Sequence, residues 1–143
     1  MSKATYDDVN LVLKLYELRR EEKLRGARAW FASNFKCKSM ADFAQLCPPG
    51  SEANAFMRQV SSYWEMAASF VTAGVLNDEL FFQSNRELLF VWLRMEPIIA
   101  ELRAAFKDAN FLKNLETVAI NYAEFLNRTS PEAFHAFKAR VGG

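Results

Sequence analysis

The sequence predicts an all-α protein, a single-domain helical bundle of five to seven helices joined by short loops. Three observations predict it. Apolar residues recur at steps of three and four, clearest from Leu88 onward, where Leu88, Trp92, Met95, Ile99, Leu102 and Phe106 make one seam. No useful length of chain alternates with period two. Only five Gly and four Pro punctuate 143 residues, 51 % of them apolar, which favours long regular elements over a small β-sandwich. The length fits one domain, residues 1–143. A chain of this size buries about 68 % of the surface its unfolded form exposes, enough for a core without disulfides.

The first helix is expected to start at Thr5, whose hydroxyl can cap the amide of Asp8. Asp7 and Asp8 then sit at the positive end of the helix dipole. Val9, Val12, Leu13 and Tyr16 form one stripe, and Leu11, Leu15 and Leu18 another, so residues 9–18 are apolar over more than half the circumference. Either this helix is central and touched on several sides, or one face is a dimer contact. Leu11, Leu15 and Leu18 are the candidate interface. Charged turns follow, with Glu21 and Arg25 at an attractive i,i+4 spacing. Gly26 offers a bend, and Ala27, Trp30 and Phe31 carry the helix to near Asn34.

Ser39-Met40-Ala41-Asp42 reads as a variant capping box opening a short helix with Phe43, Ala44 and Leu46 inward. Pro48-Pro49-Gly50 ends it. Ser51 caps a long helix with two adjacent stripes. Phe56, Val60, Tyr63, Ala67 and Phe70 form one, and Met57, Trp64, Ala68 and Val71 the other. Gly74 is its natural stop. Asn77 caps the next turn, and Ser84-Asn85 is a place where the helix could restart, leaving residues 78–106 as one helix or two. Pro97 predicts a kink rather than a break, because the Leu88 seam stays in phase across it. Asp108 or Asn110 should cap a helix carrying Phe111, Leu115, Val118, Tyr122 and Phe125. Thr129-Ser130-Pro131-Glu132 predicts a last short helix with Phe134, Phe137 and Val141. Gly142-Gly143 should fray.

Charge excludes some functions. The net charge of +1 gives no global field for nucleic acid or an anionic membrane. Residues 1–38 are net +4 and the remainder net −3, which reads as a solvated helix face. The first turns of the helix after Ser51 offer Glu52, Asn54 and one Arg58, a poor recognition helix. No nucleic-acid partner is expected. No segment reaches the ~20 apolar residues that span a bilayer, and the N-terminal residues do not read as a signal peptide, so a cytoplasmic protein is expected. Cys37 and Cys47 match neither a disulfide framework nor a zinc pattern. Lys36 and Lys38 beside Cys37 would favour a thiolate.

Tyr63-Trp64-Glu65, then Gly74-Val75-Leu76-Asn77-Asp78-Glu79-Leu80, then Trp92 with Pro97-Ile98-Ile99 and Arg103, resemble one bacterial domain-of-unknown-function family of small helical proteins. The resemblance spans about residues 56–122. That family is uncharacterised and has no catalytic residues to carry over. The resemblance implies a membrane-spanning segment ahead of the domain in some members, and none is predicted here.

Two constellations stand out. Glu65, Arg94 and Arg103 are charges on otherwise apolar helices, spaced for a Glu–Arg pair between helices. Tyr63, Trp64, Trp92 and Tyr122 could wall a pocket for a flat or apolar ligand, although aromatics at helical spacing more often form core. The only histidine, His135, has no ligand-like neighbours, and no catalytic motif, metal spacing or phosphate loop is found. Neither metal nor cofactor is expected. The sequence therefore points to a non-enzymatic domain acting through protein contacts, by self-association or by binding a partner helix. The alternative is a small-molecule module with an aromatic-lined pocket.

Overall fold

The computed structural model describes residues 3–142, and every regular element among them is helical. In chain order these are α1 (Tyr6–Arg19), α2 (Glu22–Asn34), α3 (Met40–Leu46), α4 (Glu52–Thr72), α5 (Asp78–Ser84), α6 (Arg86–Met95), α7 (Ile99–Phe106), α8 (Lys113–Thr129) and α9 (Pro131–Gly142), with a 3₁₀ turn at Glu96–Ile98. The helices exceed the expected five to seven because the chain breaks at Arg20–Glu21 and at Pro97, which local pattern leaves continuous, and at Asn85, which it leaves open.

The first break is at Arg20–Glu21. The amides of both residues bond back to Glu17 and Leu18, and the Glu21 carboxylate then caps the amide of Leu24 at 2.9 Å. The expected single helix to Asn34 is thus two, and Gly26 sits unbroken inside α2. The second break is at Asn85, whose backbone (φ −131°, ψ 44°) leaves the helical region. Its side-chain amide donates to the carbonyl of Phe81 at 2.9 Å. Pro97 has no N–H for the Leu93 carbonyl, and the chain tightens into the 3₁₀ turn instead of kinking one helix. Residues 78–106 are therefore three helices. The seam survives these breaks, with Leu88, Trp92, Met95, Ile99 and Leu102 all buried, while Phe106 at its end is half exposed.

Several caps form as their sequences dictate. Thr5 and Asp8 close a full capping box on α1. Ser39, Ser51 and Asn77 each accept the amide three residues on. Gly74 takes φ +78°, letting the amides of Val75 and Leu76 both reach the carbonyl of Phe70. The start of α8 differs from expectation. Lys107 and Leu112 adopt left-handed backbone, so Phe111 and Leu112 precede the helix, and Asp108 caps only the turn at Asn110. At the far end α8 runs through Thr129, and the single residue Ser130 separates it from α9. Gly142 belongs to α9, and Gly143 lies outside the described residues.

α4 is the axis of the bundle. Met57, Val60, Trp64, Ala67 and Ala68 on it are almost wholly enclosed, and it packs chiefly on α8 and α2, with α6 alongside. The small side chains of Ala67 and Ala68 permit that close approach. α9 closes the bundle against α8 and α6. α1 is peripheral, resting on α2 and α5. It therefore has a side that the rest of the chain does not cover.

Candidate functional site

α1 has two unlike faces. Leu15 is enclosed (1 % exposed), Asp8 and Arg19 are buried with it, and Leu11 and Val12 are half-buried beside them. On the opposite side Tyr6, Val9, Leu13 and Tyr16 are 71, 45, 52 and 48 % exposed. Their steps of three, four and three make one straight line down the helix. Two of the three residues expected at an interface face the bundle. Leu15 is core and Leu11 rests on the core, because that stripe faces the bundle; of the three residues only Leu18 is exposed. Arg20, next in the open line, lies with its guanidinium 5.5 Å from the Tyr16 ring.

α1 is held rigidly by its inner face. One carboxylate oxygen of Asp8 accepts the Thr5 amide at 2.7 Å, and the other accepts the Asn77 amide at 2.9 Å, pinning the helix start to the turn after α4. These amide bonds hold the Asp8 carboxyl below its ordinary value. At the other end Arg19 enters the bundle. It donates to the Asn85 side chain at 3.0 Å and the Tyr63 hydroxyl at 3.4 Å, over the Trp64 ring. Tyr63 in turn donates to the Leu15 carbonyl, and burial pushes its phenol up. Arg28 donates to the Arg19 carbonyl at 3.0 Å and forks onto Glu87, with both bonds at 2.8 Å. The sequence reading missed this network. The available signal was that Arg19 continues the inward stripe four residues after Leu15.

The other predicted residues are placed as follows. Glu65 pairs with neither Arg94 nor Arg103. Its carboxylate caps α8 from outside, accepting the Leu115 amide and the Asn114 side chain, each at 2.8 Å. Because Leu112 is left-handed and provides no side-chain cap, a residue from α4 does that work. Arg94 is buried and donates to three carbonyls, Phe35 at 2.9 Å, Val141 at 3.1 Å and Ala32 at 3.2 Å, with its guanidinium 4.6 Å from the Phe90 ring. It ties the ends of α2 and α9 together. Arg103 donates to the Phe111 carbonyl at 2.8 Å and pairs with Glu116 at 3.0 Å.

Tyr63, Trp64, Trp92 and Tyr122 are all buried, so these rings form core rather than a pocket wall. Tyr63 and Trp64 meet edge to face, and Tyr122 stacks on Phe82. A cleft of about 670 Å³ lies elsewhere, between the start of α1, the Gly74–Asp78 turn and α8, lined by polar groups such as Thr72, Thr117 and Asn121. Cys37 and Cys47 are both buried free thiols. Burial pushes Cys37 up and Cys47 up to about 11, which outweighs the flanking lysines and keeps both protonated at neutral pH. His135 is exposed on α9. Among the described residues no helix is long and apolar enough to cross a membrane.

No curated protein and no solved structure matches the chain. One family does, described as a domain of unknown function, DUF4760, and its match covers residues 4–122. This extends well beyond residues 56–122. It takes in α1, the Asp8 pin and the Arg19 network as well as the turn and the Trp92 helix. The chain belongs to the DUF4760 family.

Proposed function

We propose that this protein is a non-enzymatic helical domain that works by docking protein through the outward face of α1. The observation that carries this reading is the line Tyr6, Val9, Leu13 and Tyr16, four large apolar side chains in register and each at least 45 % exposed. Single exposed apolar residues are ordinary on a soluble surface, whereas a contiguous row on one rigid helix is what a helix-in-groove or helix-pair contact uses. The rigidity supports the same reading. Asp8 and Arg19 fix the two ends of α1, so the face is presented in one orientation and little ordering entropy is lost on docking.

The conspicuous polar groups support a non-catalytic role. Glu65 and Arg103 are engaged at the start of α8, and Arg94 with carbonyls near the ends of α2 and α9, each holding a helix end in place. The alternative, a small-molecule module walled by Tyr63, Trp64 and Trp92, has less support because those rings are enclosed.

The test is a photoreactive phenylalanine analogue placed at position 13 in the producing cells, with position 107 on the exposed loop as control. Docking through this face predicts a discrete cross-linked species from position 13, abolished by Val9→Glu and absent from position 107. No adduct at position 13, or one indifferent to Val9→Glu, would count against the reading.

A further inference from the structure

We propose that the cleft at the foot of α1 binds a small zwitterion, a molecule with an ammonium and a carboxylate on a partly apolar body, as a free amino acid is. The cleft is separate from the outward line of α1, and the inference stands independently of docking through that face.

The cleft spans about 670 Å³ between the residues leading into α1, the Gly74–Asp78 turn and α8. Small-ligand pockets usually fall at about 300–1,000 Å³. Its floor is apolar, with Leu76, Phe82 and Val118 all buried. Its rim is polar, formed by Lys3, Thr72, Asp78, Thr117 and Asn121. The walls are tied to one another. Asp8 accepts the amides of Thr5 and Asn77, which joins the start of α1 to the turn, and the Thr72 hydroxyl donates to the Asn114 side chain, which joins the end of α4 to α8. A cleft held in one shape loses little entropy when a ligand enters.

Charge selects the ligand. Lys3 and Asp78 both line the cleft, yet neither forms an ion pair with the other or with any other described residue. One Asp78 oxygen accepts the Glu79 amide at 2.7 Å, which leaves the second oxygen open. Asp8, the other carboxylate of the cleft, is buried and has both oxygens on chain amides, so it is not the partner of Lys3. Two opposite and unpaired charges around one space are satisfied together only by a ligand that carries both. An anion would meet Lys3 and be repelled by Asp78, and a cation the reverse. The side chains of Thr117 and Asn121, one turn apart on α8, make no hydrogen bond among the described residues and offer donors and acceptors beside these charges. Phe82 and Val118 below them suit an apolar side chain.

The experiment is a titration of the full, isotopically labelled chain with L-leucine, read from its amide resonances. The expected result is saturable shifts at Leu76, Thr117 and Asn121, with a dissociation constant of about a millimolar or tighter. Isoamylamine lacks the carboxylate and isocaproate lacks the ammonium, and each should bind the native chain about tenfold more weakly or worse. Lys3→Met should abolish the preference for leucine over the amine, and Asp78→Asn the preference for leucine over the acid, because each removes the charge that reads the missing group. A merely structural role for either residue would weaken all three ligands alike. Leucine that leaves those three amides unmoved through the millimolar range overturns the proposal. So does an analogue that binds as well as leucine, or a variant that keeps its full preference.

Discussion

Leu13 and Leu15 stand two residues apart on α1 and lie on opposite sides of it, Leu13 at 52 % exposure and Leu15 at 1 %. The same side chain thus has two different jobs within one helical turn. Leu15 contributes to holding α1 on the bundle, while Leu13, half exposed, adds little to the fold of a single chain. The proposed docking rests on that difference.

The first prediction separates the two leucines. Leu15→Ala should cost about 2–5 kcal/mol, from lost burial and the cavity left behind. Leu13→Ala should change stability by no more than about 0.5 kcal/mol when measured at dilute protein concentration, where self-association does not contribute. Urea denaturation followed by circular dichroism measures both. Equal losses would place residue 13 in the core and remove the basis for a free face.

Glu65 is expected to hold α8 by its first turn. Glu65→Ala leaves the amide of Leu115 and the side chain of Asn114 without their acceptor, and should cost about 1–2 kcal/mol. Glu65→Gln keeps one acceptor oxygen and should recover part of that. Amide exchange at Leu115 gives a local readout, which should quicken in the Ala variant before global stability is exhausted.

Arg94 bonds to carbonyls near the ends of α2 and α9, with no carboxylate partner among the described residues. Arg94→Ala leaves the carbonyls of Phe35 and Val141 without their donor in a buried place and should cost about 2–4 kcal/mol. Arg94→Lys should restore little, because one ammonium cannot reproduce a planar fork that reaches Phe35, Ala32 and Val141 at once. Full recovery by Lys would show that charge rather than geometry matters at this position.

Asp8 should leave a mark on acid stability. Its folded carboxyl is held below the ordinary value of about 3.9 by the amides of Asn77 and Thr5, in that order of effect. A lowered folded value means the charged form is favoured by folding. The contribution is then complete above about pH 4 and is lost as pH falls through the lowered value. Asp8→Asn should therefore melt below the native chain at neutral pH, with the difference narrowing below about pH 4. Thermal melts across that range check it, and a gap independent of pH would assign the effect to packing instead.

Much of the architecture was legible one helix at a time. Thr5, Ser39, Ser51 and Asn77 cap as their side chains dictate, Gly74 stops α4, and the two stripes of α4 are both used. The break at Arg20–Glu21 was less legible, since it carries no strong helix breaker, and Ser84-Asn85 offered a restart without deciding it. Asn85 leaves the helix where its side chain also serves Arg19, sixty-six residues away in sequence. The candidate site was legible only as a choice between stripes. Residues 9–18 were seen to be apolar too far round for one contact, but Leu11, Leu15 and Leu18 were set at the interface, and the free face belongs to Tyr6, Val9, Leu13 and Tyr16.

The sequence by itself determined that this protein is helical and where most of its helices start, because periodicity and capping act over three or four residues and need no knowledge of distant chain. Tertiary structure decided which apolar stripe of α1 turns inward, and which partners Glu65, Arg94 and Arg19 take. The two stripes of α1 are nearly equal in hydrophobicity, so no local term ranks them. What ranks them is where α2 and α5 lie, and that the inner side can also satisfy Asp8 through the Asn77 amide and Arg19 through Asn85. A buried charge is stable only where several backbone and side-chain groups from separate helices converge on it, and that convergence is a property of the assembled bundle.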